Sequence, residues 1–77
     1  MNDAIADVTI HIDENIDPET RVSLENRLLA LDGVTAASSQ NRTSHLLVVK
    51  FDSERLQSHD ILRAVTATGL HAELIGL

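Results

Sequence analysis

Between Val8 and Leu31 the apolar period of this chain changes, and it changes at one place. Val8-Thr9-Ile10-His11-Ile12-Asp13 alternates apolar and polar residues, the period of two that marks a strand with one buried face. Leu24, Leu28 and Leu31 then fall at i, i+4 and i+7, flanked by Val22 and Leu29, the stripe of a helix that buries one side. Asp17-Pro18-Glu19 stands between the two patterns and reads as a helix start. Asp17 can accept from an orphan backbone amide, and Pro18 sits at the first helical position, where its missing N–H costs nothing. Glu19 adds negative charge at the positive end of the helix dipole. The helix is expected to stop at Leu31-Asp32-Gly33, with Gly33 free to take a left-handed conformation.

The same grammar repeats downstream. Val34 to Ser39 reads as a strand with small side chains, Gln40 to Ser44 as a polar turn, and His45 to Phe51 as a third strand. Asp52 to Ser58 is a connector, and Ser58 is the expected cap of a second helix whose inner face is Ile61, Leu62 and Val65. Gly69 closes that helix, Leu70 to Ile75 is the last strand, and residues 1–6 read as a frayed start. The order is β-α-β-β-α-β. Right-handed crossovers then place both helices on one face of a four-stranded antiparallel sheet. The expected fold class is α+β, a ferredoxin-like sandwich with strand order 4-1-3-2, filled by one domain over residues 1–77.

Size and charge limit what such a chain can do. Seventy-seven residues bury only about 60 % of the unfolded surface, so the core has little to spare. Cysteine is absent, which removes disulfides, thiol redox chemistry and thiolate metal sites. The net charge is −6, and residues 1–20 carry six acids with no Lys or Arg. The cations that follow are scattered singly and Phe51 is the one aromatic residue, so neither a phosphate-neutralising stripe nor a base-stacking platform is present. No apolar run approaches the length of a membrane span, and no basic-then-apolar leader opens the sequence. The expected setting is cytoplasmic, without nucleic acid or membrane partners.

Four segments carry a resemblance: Leu28-x-x-Leu31-Asp32-Gly33-Val34, Leu47-x-Val49-x-Phe51-Asp52, Asp60-Ile61-x-x-Ala64-Val65 and Thr68-Gly69-Leu70. In this order and spacing, with the strand before the first helix, they resemble the heavy-metal-associated domain of small copper chaperones and of metal-pumping ATPases. The similarity runs over about residues 8–75. That family binds a soft cation, usually Cu(I), through Gly-Met-x-Cys-x-x-Cys between the first strand and the first helix, where paired thiolates select such ions. Counted back from Leu31-Asp32-Gly33-Val34, the two cysteine positions are Asp17 and Thr20 here. The methionine position is Asn15, the glycine before it is Glu14, and the family's frequent aromatic in the last strand is Leu70. The resemblance therefore implies the family's scaffold with a degenerate metal motif.

Three groups of residues remain as candidate sites. Asp13, Glu14, Asp17 and Glu19 offer carboxylate oxygens, but a Ca²⁺ or Mg²⁺ site needs about six oxygens in fixed geometry. Asp17 and Glu19 already serve the helix start, so a solvated acidic turn is the expected state. His11 and His71 share the parity of the open sheet face on strands expected to be neighbours, and directly opposed side chains lie about 5 Å apart. Two imidazoles alone bind an ion weakly, so a surface pair without metal is expected. His45 and His59 read as ordinary surface residues. If Leu47, Val49 and Phe51 face the helices, then Leu46, Val48 and Lys50 face outward, with Ile75 beside them and Ala36 and Ser38 leaving a small-residue area. Aliphatics grouped on an uncovered face mark an interaction surface.

No nucleophile, base and orienting group are brought together by this pattern, and no ligand loop of a small-molecule sensor can be named. The reading is thus a non-enzymatic protein-interaction or adaptor domain without a cofactor. Its contact surface would be Asp13, Glu14, Asp17 and Glu19, or Leu46, Val48 and Ile75, or both. The partner would be another protein with a basic surface, and the chain a monomer or a weak homodimer through the open sheet face. The alternative is a trafficking domain that holds a divalent metal ion such as Zn²⁺ or Ni²⁺ through Asp13, Glu14, Asp17 and Glu19, or through His11 and His71.

Overall fold

The computed structural model describes residues 4–39 and 45–75. Its elements are β1 (Ile5–Ile12), α1 (Pro18–Leu29), β2 (Val34–Ser39), β3 (Leu46–Asp52), α2 (Ser58–Thr66) and β4 (Ala72–Ile75). The strands form one antiparallel sheet in the order β2-β3-β1-β4, which is the expected 4-1-3-2 read from the other edge. The polar turn expected over Gln40 to Ser44 lies outside the described residues.

The core follows from alternation on the two central strands. Val8, Ile10 and Ile12 on β1 and Leu47, Val49 and Phe51 on β3 are all buried, and the register sets Val8 opposite Val49 and Ile10 opposite Leu47. Each helix adds one buried i,i+4 pair to this cluster, Leu24 with Leu28 and Ile61 with Val65. Both helices therefore lie on the inner sheet face. Val22 and Leu29, on the flanks of the α1 stripe, stay largely in solvent. Leu31 falls beyond the helix, in the turn that Ala30 caps, and packs against the core from there.

At the sheet edge β2 carries an irregularity. Val34 faces Phe51, but Ala36 already faces Lys50, so Thr35 is the extra residue of a bulge. This shift lets both Val34 and Ala37 pack against the core, leaving Ala36 and Ser38 exposed. The Glu25 carboxylate on α1 accepts from the Ser39 N–H and hydroxyl at 3.1 and 3.0 Å, anchoring the end of this strand. Arg27 Nε donates to the Ala64 carbonyl at 2.9 Å and ties the two helices together.

Several boundaries differ from the sequence reading: α1 ends at Leu29 rather than at Leu31-Asp32-Gly33, and β3 runs Leu46–Asp52 rather than His45 to Phe51. β1 begins at Ile5, so Ile5 and Ala6, expected in a frayed start, instead pair with Asp52 and Phe51. Their apolar character gave no clean alternation, and the β3 partner strand supplies the hydrogen bonds. The cap of α2 is Gln57 rather than Ser58, because the Gln57 N–H donates to the Asp60 carboxylate at 2.9 Å and Ser58 is already helical. β4 is only four residues long: Leu70 and His71, expected in it, lie between the turn that follows α2 and the strand.

Gly33 and Gly69 end the two helical turns with φ of 110° and 98°, a region that side-chain-bearing residues avoid. The two sites differ in crowding. A Cβ on Gly33 would stand 3.0 Å from Arg55 Cβ and 3.3 Å from the Leu56 side chain, whereas one on Gly69 meets nothing within 4 Å. Backbone strain of this kind costs about 1–3 kcal/mol. Gly69→Ala is expected to lose about that much stability in urea unfolding, and Gly33→Ala clearly more. Equal losses would show that the Arg55 and Leu56 contact contributes nothing.

Candidate functional site

The turn from Asp13 to Asp17 joins the end of β1 to the start of α1. Asp17 is extended (φ −78°, ψ 168°), and its carboxylate accepts the Thr20 N–H at 2.7 Å. Its backbone carbonyl accepts from the Arg21 N–H at 3.0 Å, so the first turn of the helix is closed by one residue. Donation by Thr20 holds the Asp17 carboxyl below the usual carboxylate range, because the bond favours the ionised form. The two positions that the family resemblance assigns to a thiolate pair are therefore bonded directly to each other.

Glu14 faces the other way. Its carboxylate accepts the His71 backbone N–H at 2.9 and 3.1 Å, and one oxygen lies 2.7 Å from His71 Nδ1. This bond lowers the Glu14 carboxyl and raises the His71 imidazole from their ordinary values. Both groups are solvent-accessible, so water screens the charge component of the contact. The pairing latches the β1–α1 turn to the segment that enters β4. Glu19 lies exposed in the first turn of α1.

The uncovered sheet face is ordered by the register. Lys50 sits between Ala36 and Asp7. Ser38, Val48, Thr9 and Ile75 follow in the next row, and Leu46, His11 and Glu73 in the row after. Val48 and Leu46 are half-buried, and Ile75 is exposed at the β4 edge. In the last row, His11 Nδ1 lies 3.3 Å from Asp13 Oδ1. His11, Asp13 and Glu73 each bring one ligand atom to within 4.8 Å of the others. The His11 ring stacks on His45 with centroids 5.7 Å apart and planes 23° apart. His45 Nδ1 donates in turn to the Ile12 carbonyl at 2.7 Å.

The sequence-predicted residues are thus only partly gathered. The four carboxylates of the turn do not converge: Asp17 caps, Glu14 latches, Glu19 faces solvent, and Asp13 joins His11 on the sheet face. The expected His11–His71 pairing is replaced, because the register sets Glu73 opposite His11 and Glu14 takes the His71 ring. Glu73 and His45 were the residues missed. Glu73 has the same parity in β4 as His71 and Ile75, so alternation pointed to it once the register was known. His45 carried no such signal, since its stacking depends on where β3 begins.

No family model matches the chain, and no curated protein matches it. Among solved structures it is similar to a copper binding domain from HMA7, a P-type ATPase, at 21% identity over 91% of this chain and 93% of that chain, with a TM-score of 0.82. It is similar also to oxidised MerP from Ralstonia metallidurans CH34, at 15% identity over 95% of this chain and 100% of that chain, TM-score 0.84. A third likeness is to the CopZ metallochaperone, at 17% identity over 91% of this chain and 100% of that one, TM-score 0.77. At these identities the likeness is one of fold, and it is the fold that the sequence resemblance implied.

The Glu14–His71 latch has a defined pH window. The raised imidazole contributes stability fully below its unfolded-state pKa and loses it as pH rises through the folded value. The depressed Glu14 carboxyl contributes above its unfolded-state pKa and loses it as pH falls through the folded one. In an NMR titration His71 is expected to titrate above an unstructured histidine, and Glu14→Gln to bring its midpoint down. A midpoint unmoved by that substitution would remove Glu14 as the cause.

Proposed function

We propose that the chain is a non-enzymatic protein-interaction domain on a metal-trafficking scaffold, with an acidic turn that docks to a basic surface of a partner protein. The observation that carries this reading is the 2.7 Å bond between Asp17 and Thr20. It fills the place of a soft-metal thiolate pair with a helix cap, and it needs no ligand to hold the turn. Asp13 and Glu19 remain exposed beside it, more negative charge than a helix start requires. Opposite charges across an interface speed encounter and fix orientation, which gives the surplus acid a use. The half-buried Leu46 and Val48 and the exposed Ile75 supply an apolar contact on the adjoining sheet face. A fold shared with a copper binding domain and a metallochaperone agrees with a carrier or adaptor rather than a catalyst.

An oligolysine peptide titrated into isotope-labelled protein at low salt tests the docking surface. Amide shifts are expected to concentrate in residues 13–20, to fade at physiological salt, where the screening length falls to about 8 Å, and to shrink in an Asp13→Asn, Glu19→Gln variant. Equal shifts around Asp32, Glu54 and Asp60 would sink the reading. The loss of the soft-metal site has its own check. Asp17→Cys with Thr20→Cys is expected to hold one Cu(I) per chain against a chelator that strips the unmodified protein, since two thiolates at that spacing suit the ion. Failure of a folded double variant to bind would break the assignment of those two positions.

A further inference from the structure

We infer that His11, Asp13 and Glu73 form a site for a divalent first-row transition ion, with Zn²⁺ the best fit, at the rim of the uncovered sheet face. This goes beyond the interaction reading and uses neither Asp17 nor Thr20. The three residues are set by backbone pairing. His11 and Glu73 are register partners on β1 and β4. Asp13 follows His11 by two residues, and its N–H donates to the His71 carbonyl at 2.8 Å. Cross-strand pairing turns His11 and Glu73 to one face, and Asp13, just past the end of β1, brings its carboxylate to them.

Their distances fit one small ion. Zinc bonds of about 2.0–2.2 Å to nitrogen and oxygen place two ligand atoms no more than about 4.4 Å apart. The ligand atoms lie within 4.8 Å of one another, and His11 Nδ1 is 3.3 Å from Asp13 Oδ1. Closing the remainder takes small rotations of side chains that are not tightly packed: the His11 and Asp13 side chains are 39% and 55% exposed.

Charge and order favour the same assignment. Asp13 and Glu73 bring two carboxylates together, and among the described residues neither forms an ion pair with Lys or Arg. A dication held among them would relieve the repulsion between the two carboxylates. The His11 ring is held by its stack on His45, itself anchored to the Ile12 carbonyl. That contact orients the ring without using either of its nitrogens. One imidazole and two carboxylates suit a borderline ion. Soft Cu(I) prefers sulfur, and Ca²⁺ or Mg²⁺ needs about six oxygens. Three protein ligands leave a fourth position open to water or to a group on a partner.

Zinc chloride titrated into the full chain at pH 7, followed by amide and imidazole resonances, tests the site. One equivalent at micromolar concentration is expected to saturate the signals of His11, Asp13 and Glu73 while those of α1 and α2 hold still. Removing even an outer-shell partner of a metal ligand weakens binding about 10–100-fold. Asp13→Asn and Glu73→Gln are therefore each expected to cost at least tenfold, and His59→Ala on α2 nothing. These replacements keep size at accessible positions, and the amide spectrum reports that the fold persists. Binding that survives the double Asp13→Asn, Glu73→Gln variant would overturn the proposal. So would binding lost in His71→Ala but kept in Glu73→Gln, or the absence of saturable binding at micromolar zinc.

Discussion

The pairing of β1 with β3 is the constraint from which the rest of the molecule follows. Among the described residues, six of the ten that form the buried core come from these two strands, so the helices dock onto a face the sheet has already defined. A slip of one residue would turn every one of those side chains to solvent. The opposition of Val8 to Val49 and Ile10 to Leu47 penalises such a slip, since each of these residues is at most 2 % exposed. The same pairing also writes the outer face. With Val8 and Ile10 inward, Thr9 and His11 must point outward, and β4 then adds Ile75 and Glu73 beside them. Core and candidate metal cluster are two readings of one register.

The β1–α1 turn is held by its own side chains and backbone. A helix start leaves several amides without intrahelical partners, and something must satisfy them. Pro18 removes one donor, the Asp17 carboxylate takes the Thr20 N–H, and the Asp17 carbonyl takes that of Arg21. Glu14 then fixes the near end of the turn to His71, across 57 residues of sequence. The turn is thus anchored at both ends by carboxylates, Glu14 to His71 and Asp17 to Thr20.

Most of the architecture was legible because the patterns were strong and local. The period change at Asp17-Pro18, the i,i+4 pairs Leu24–Leu28 and Ile61–Val65, and the two positive-φ glycines each stated their role within a few residues. What was not legible depended on partners far along the chain. Ile5 and Ala6 become strand only because Asp52 and Phe51 lie across from them. Thr35 is an extra residue in β2, and nothing in Val34 to Ser39 announces it. The candidate site failed in the same manner. Parity put His11 and His71 on one face, but only the β1–β4 register could reveal that Glu73 is the residue opposite His11. The four carboxylates close in sequence do not converge, because the turn sends its side chains in different directions.

The acidic turn and the sheet-face cluster share a residue and a field. Asp13 stands in both, and the charge that raises the His71 imidazole comes first from Glu14, with Asp13 as a smaller neighbour. A dication held by His11, Asp13 and Glu73 would remove negative potential from the side of the turn where a basic partner would approach. Metal and partner would then oppose each other's binding, and linkage makes that opposition equal in both directions. If instead the partner supplied the open fourth ligand, each would strengthen the other. The sign of the coupling therefore reports whether the partner's contact is with the field of the turn or with the ion itself.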